Sequence, residues 1–95
     1  MEIIKNLQKN KMTIKEATKE MLWNIERRNN RNRNEKGERG YDNQIAKMLS
    51  ITPATYSRLR TGVTEPKIIT WFKITNLHKE MVGIGATENI INQIT

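Results

Sequence analysis

SITPATYSRLRTGVTEP, residues 50–66, is the stretch on which the reading of this chain turns. Thr52 is a strong helix N-cap residue, and Pro53 suits the first helical position, where its missing N–H removes a donor that would lack a partner anyway. Tyr56 and Leu59 supply one buried stripe at i and i+3, and Gly62 stands where a left-handed residue closes a helix. The spacing predicts a helix over residues 53–61. With Tyr56 and Leu59 inward, a step of about 100° per residue turns Ala54, Ser57, Arg58 and Thr61 outward, with Thr55 at the flank. That face is sparse for a surface helix, because Arg58 is its only long side chain.

Just upstream, residues 42–50 read DNQIAKMLS. Asp42 is expected to cap a short helix that faces Ile45, Ala46 and Leu49 inward. Two short helices joined by a turn of about three residues form a helix-turn-helix pattern. Ala46 is small where the two helices come closest, Ile51 plugs the turn, and Tyr56 and Leu59 pack back onto Ile45 and Leu49. A sparse outer face of this kind can enter a groove about 12 Å wide. There an arginine can bond bidentately to guanine O6 and N7, and Ala or Thr methyls can meet a thymine methyl. Thr52 and the helix N-terminus can face a phosphate, with Ser57, Arg60, Thr61 and Lys67 placed for the backbone.

Composition agrees with a polyanionic partner. Seventeen Lys and Arg against ten Asp and Glu give a net charge of +7 over 95 residues, a field that favours phosphates through counterion release. A chain this short supports one domain and one modest core. Cysteine is absent and histidine occurs once, so disulfides and Cys/His zinc sites are set aside and a reducing compartment is permitted. No apolar run approaches a membrane span or a signal-peptide core. The expectation is a soluble cytoplasmic protein.

The single domain, residues 1–95, divides as follows. Residues 1–12 form an arm or short helix carrying Ile3, Ile4 and Leu7. Residues 13–30 form the first helix, opened by a Thr13–Glu16 capping box and striped by Ile14, Ala17, Met21 and Ile25 with Thr18 and Leu22 beside them. Trp23 lies off that stripe and covers either the edge of the core or a partner. Residues 31–40 form a basic loop, either a solvated linker or a phosphate-tracking arm, with Arg31, Arg33 and Arg39 as its candidate contacts. Residues 41–79 hold the helix-turn-helix and a following helix that starts at Thr64-Glu65-Pro66 and uses Ile68, Ile69, Phe72, Ile74 and Leu77 as its apolar contacts. Residues 80–95 form a C-terminal segment, broken off by Gly83 and Gly85 and capped by Thr87. Its Ile90, Ile91 and Ile94, with Trp71, either contact a second subunit or close the core. His78, near a helix end, is expected at the surface or in a cap. The fold class expected is all-α, a bundle of about five helices.

DNQIAKMLSITPATYSRLRTGV, residues 42–63, resembles the helix-turn-helix of the lambda-repressor-like family, also called the Cro or XRE type, over about residues 41–79. By that resemblance the family's small inward residue falls on Ala46, its turn residue on Ile51, its second-helix core on Tyr56 and Leu59, and its closing glycine on Gly62. The base-facing positions fall on Pro53, Ala54, Thr55 and Arg58. The usual turn glycine is Ser50 here, the glutamine that often opens the motif is Asp42, and the basic loop is longer than usual. Part of the sequence discrimination is therefore expected from DNA shape, or from the loop or arm in a minor groove.

The resemblance implies a transcriptional regulator, a repressor of a phage or mobile element in a bacterial host, binding double-stranded DNA as a homodimer on two half-sites. The alternative from another class is a phage packaging, virion or host-interaction module that keeps the helical scaffold without operator choice. The sequence holds no nucleophile with a base at recognisable spacing, no apolar-set carboxylate pair, no glycine-rich phosphate loop and no metal cluster. No enzymatic activity, cofactor, membrane partner or small-molecule substrate is expected.

Overall fold

A computed structural model of the protein describes residues 11–31 and 41–94. Among them are five helices: α1 (Ile14–Arg31), α2 (Tyr41–Leu49), α3 (Pro53–Arg60), α4 (Ile68–Met81) and α5 (Ile84–Asn92). The fold is a small all-α bundle. The one β-type pairing among the described residues is a bridge between Met12 and Ile94, where the Met12 N–H donates to the Gln93 carbonyl at 2.8 Å. It ties the approach to α1 to the end of α5. No helix among these residues is long and apolar enough to cross a membrane.

α1 is the central element and packs against the other four helices. Its start is fixed by the reciprocal box, in which the Glu16 N–H donates to Thr13 Oγ1 at 3.1 Å and the Thr13 N–H to Glu16 Oε1 at 3.0 Å. Ala17, Thr18, Met21, Leu22 and Ile25 are fully buried, while Ile14 sits at the exposed edge of the stripe. Each buried Met, Leu or Ile stabilises the fold by about 1.5–3 kcal/mol. Trp23 is exposed off the stripe, with Lys19 Nζ 5.3 Å from its ring centroid.

α2 begins at Tyr41, so Asp42 falls inside its first turn and is not the residue that precedes the helix. Ile45, Ala46 and Leu49 are buried as their spacing requires. α2 ends in a Schellman closure around Ser50, whose φ is 59°. The Ser50 N–H donates to the Lys47 carbonyl and the Ile51 N–H to the Ala46 carbonyl, each at 3.0 Å. Ile51 packs against the core from this turn.

α4 departs from the expectation at both its start and its inner face. It begins at Ile68, with Lys67 in the cap position and no side-chain cap, and Thr64-Glu65-Pro66 lie in the connection before it. Ile74 is buried and Leu77 half-buried as expected, but Ile68, Ile69 and Phe72 are exposed. At about 100° per residue these three fall on the side of the helix opposite Ile74, so the five apolar residues cannot share one face. The core takes the Trp71, Ile74, Leu77 and Met81 side and completes it with buried Thr75 and His78.

α5 starts after Gly83, which holds φ 138°, and Gly85 lies within the helix. Thr87 is no cap either: it is buried inside α5 and donates its hydroxyl to the Gly83 carbonyl at 2.9 Å. His78 is fully buried beneath it, with Nδ1 2.6 Å from Thr87 Oγ1 and Nε2 3.2 Å from Asn24 Nδ2. One proton assignment satisfies both contacts: Nδ1–H donates to Thr87, and Nε2 accepts from Asn24. Arg27 donates to the other end of the Asn24 amide, which fixes its orientation. Burial lowers the His78 pKa from its ordinary value of 6.5, which favours the neutral ring.

Candidate nucleic-acid interface

α3 is the short helix with sharply defined ends. Thr52 holds extended backbone, φ −77° and ψ 155°, and its Oγ1 accepts the Thr55 N–H at 3.1 Å, with Pro53 in the first turn. At the other end Gly62 has φ 80°, its N–H donates to the Leu59 carbonyl at 3.2 Å, and the Val63 N–H reaches the Arg58 carbonyl at 2.9 Å. A second Schellman closure thus stops the helix after Arg60, one residue short of the expected boundary.

Tyr56 and Leu59 are buried, and their orientation turns Pro53, Ala54, Ser57, Arg58 and Thr61 to solvent. Thr55 is half-buried at the flank, and Lys67 is exposed on the following connection. The outer face therefore carries one long side chain, Arg58, among small residues. α3 and the connection to α4 enclose a groove of about 430 Å³ with Thr52, Thr55, Thr64, Glu65, Lys67 and Thr70 on its walls. Thr64 and Thr70 add hydroxyls beside the outer face of α3 that spacing alone did not single out. Glu65 adds the one acidic group in this wall.

The hydroxyls expected to meet phosphates are not equally disposed. Thr52 Oγ1 already accepts the Thr55 N–H and gives its proton to Thr55 Oγ1 at 2.9 Å. Thr61 gives its proton to the Ser57 carbonyl at 2.8 Å. Since a phosphate only accepts, Ser57, Thr55 and Lys67 are the better donors as the side chains stand. Of the first-turn backbone donors, Pro53 has none, Thr55 is capped and Tyr56 bonds the Thr52 carbonyl at 2.9 Å, which leaves the Ala54 N–H as the one with no hydrogen bond to the described residues.

Arg60 points the other way. Its Nε donates to Glu26 Oε2 at 2.5 Å, and the same carboxylate oxygen accepts the buried Tyr56 hydroxyl. Glu26 is itself nearly fully buried on α1, so a charged anchor pins α3 from behind. Arg60 is about one-third exposed, enough for a backbone contact only at the rim. Asn29 extends this polar seam, donating to Gln44 Oε1 on α2 at 3.1 Å. The sequence held a signal for this: Glu26 and Asn29 continue the 18–22–25 stripe with polar residues, and a buried tyrosine hydroxyl needs a partner.

Arg31 ends α1, while Arg33 and Arg39 lie outside the described residues, as does the arm at residues 1–10. Of the C-terminal isoleucines, Ile90 belongs to the core and Ile94 packs against it, which leaves Ile91 as the exposed one. Trp71 also packs on the core. Among the described residues no group of three or more acidic or histidine side chains converges as a metal site would require.

No protein-family model matches the chain, and neither does any curated protein or solved structure.

Proposed function

We propose that this protein is a lambda-repressor-like, sequence-specific double-stranded DNA-binding regulator that reads an operator with α3. The observation that carries the reading is the outer face of α3: Ala54, Ser57 and Arg58 exposed on a short helix whose ends are closed by Thr52 and Gly62 and whose back is pinned to Glu26. A helix held this firmly can bring its backbone close to base edges without ordering loops at the moment of binding. Arg58 would pair with guanine O6 and N7, and Ala54 and Thr55 would pack on thymine methyls. The Ala54 N–H, Ser57 and Lys67 would hold phosphates and set the register.

One recognition helix reads only a few base pairs, so operator affinity calls for two subunits on half-sites about 34 Å apart. Occupation of such a site blocks or recruits polymerase, in the cytoplasm of a bacterial host carrying a phage or other mobile element. The test is a mobility-shift series after selection of bound sites from random duplexes, run at two salt concentrations. A strong preference for a palindrome is the expected result. Equal, salt-sensitive binding to every duplex would point to a packaging role instead, and no binding would leave a protein-interaction module.

A further inference from the structure

The exposed side of α4 changes character along its length. Its first five residues include Ile68, Ile69 and Phe72, exposed by 73, 68 and 60%, whereas the positions that continue the same side are Lys73, Asn76, Lys79 and Glu80. Taking an open side chain of this size as about 200 Å², the three leave on the order of 400 Å² of apolar surface in one cluster, the scale at which a patch on a monomer has a use. They are not needed for the core, which α4 reaches with its opposite side.

We infer that this face is the contact between two copies of the chain, with the α4 helices crossing antiparallel on a two-fold axis near Ile69. Charge placement selects a second copy over a partner of other sequence. Glu65 and Lys73 are both exposed, neither is ion-paired within the chain among the described residues, and Ile69 is midway between them in sequence. In a two-fold interface residue i meets j while j meets i, so an antiparallel crossing brings Glu65 of each copy toward Lys73 of the other at both ends of the patch. Area sets the strength. Two such patches bury on the order of 800 Å², below the roughly 1,200–2,000 Å² of a stable complex, which makes the dimer reversible. The inference names the subunit contact that the operator reading requires, and rests on that reading only for the dimer's role on DNA.

Sedimentation of the full chain over a concentration series, without DNA, tests it. The parent protein is expected in monomer–dimer equilibrium, and Phe72→Glu should raise the dissociation constant by about tenfold or more. Phe72 is exposed, so that variant should keep the parent's circular dichroism and melting temperature. Glu65→Lys and Lys73→Glu should each weaken the dimer, and the two together should restore it. Because the chain has no cysteine, Ile69→Cys supplies a single thiol that should oxidise to a cross-linked dimer. The inference is overturned by a parent that stays monomeric throughout, by Phe72→Glu sedimenting as the parent does, by a combined charge reversal that fails to recover, or by Ile91→Glu dissociating the dimer in its place. Duplex binding is scored on the same samples: a dimer that binds no DNA removes the operator reading and leaves this interface standing.

Discussion

Tyr56, fully buried on α3, donates its hydroxyl to Glu26, thirty residues earlier on α1. The carboxylate is buried too, and Arg60 Nε shares the same oxygen at 2.5 Å, so tyrosine and arginine of one helix close on one acid of another. Hydrogen bonds to a charged acceptor contribute about 1.5–3 kcal/mol, and removing one partner of a buried set leaves the others unsatisfied. Tyr56→Phe should therefore lower unfolding stability by about 1.5–3 kcal/mol. Glu26→Ala should lower it further, since it strands the Tyr56 hydroxyl as well. Urea midpoints at pH 7 measure both. Equal midpoints for Tyr56→Phe and the parent would show that this anchor does not hold α3.

His78 makes stability depend on pH in a definite direction. Its folded pKa lies below the ordinary 6.5 because burial disfavours the charged ring, so at mildly acid pH the unfolded chain binds a proton that the folded chain does not. The stabilisation is full above about pH 6.5 and is lost as pH falls from there through the lowered folded value. Protonation also removes the lone pair that accepts from Asn24. The urea midpoint should fall between pH 7.5 and 5.5 in the parent, and His78→Gln, less stable at pH 7.5, should show a flatter profile. Superimposable profiles would remove His78 as the titrating group.

Signals decided within one turn of backbone were legible only in part, since Asp42 falls inside α2, Thr87 inside α5 and Thr64-Glu65-Pro66 ahead of α4. Thr13 with Glu16, Thr52 with Pro53, and Gly62 each close a helix end through bonds spanning three to five residues, and each forms. Periodicity found the inner face of α1 and the inward pair on α3. It misassigned α4, because a helix apolar on two sides does not say which side meets the core; the neighbours decide. His78 was illegible for a related reason, since its partners Thr87 and Asn24 stand nine and 54 positions away. Arg60 looked like any surface arginine next to Arg58, and only the buried acid on α1 distinguishes them.

Ser50 and Gly62 turn the chain with the same left-handed backbone but different residues, at φ 59° and 80°. An L-residue in that region costs roughly 1–2 kcal/mol, part of which glycine returns through its greater unfolded entropy. Ser50→Gly should then stabilise the protein by about 0.5–1 kcal/mol. Gly62→Ala should destabilise it by a similar or larger amount through backbone strain alone, since an added Cβ would meet only Lys19 Cδ at an ordinary 3.7 Å. Thermal melts of the two variants read opposite signs. A destabilising Ser50→Gly would mean that the Ser50 side chain contributes something the left-handed turn does not require.

Arg58 and Lys67 separate base reading from backbone holding, because both are exposed and cationic while only Arg58 rises from the face of α3. If Arg58 pairs with a guanine, Arg58→Ala should cost about 1–3 kcal/mol of affinity for the selected duplex and relax the preference at one base pair. If Lys67 meets a phosphate, Lys67→Ala should weaken all duplexes alike and reduce the slope of log affinity against log salt by about one. Neither change touches the buried anchor at Glu26, so both variants should melt with the parent. Titrations of the selected site, its single-base variants and a scrambled duplex at two salt concentrations supply the comparison. Should Arg58→Ala leave affinity and base preference where they were, α3 would not be reading bases, whatever else the protein binds.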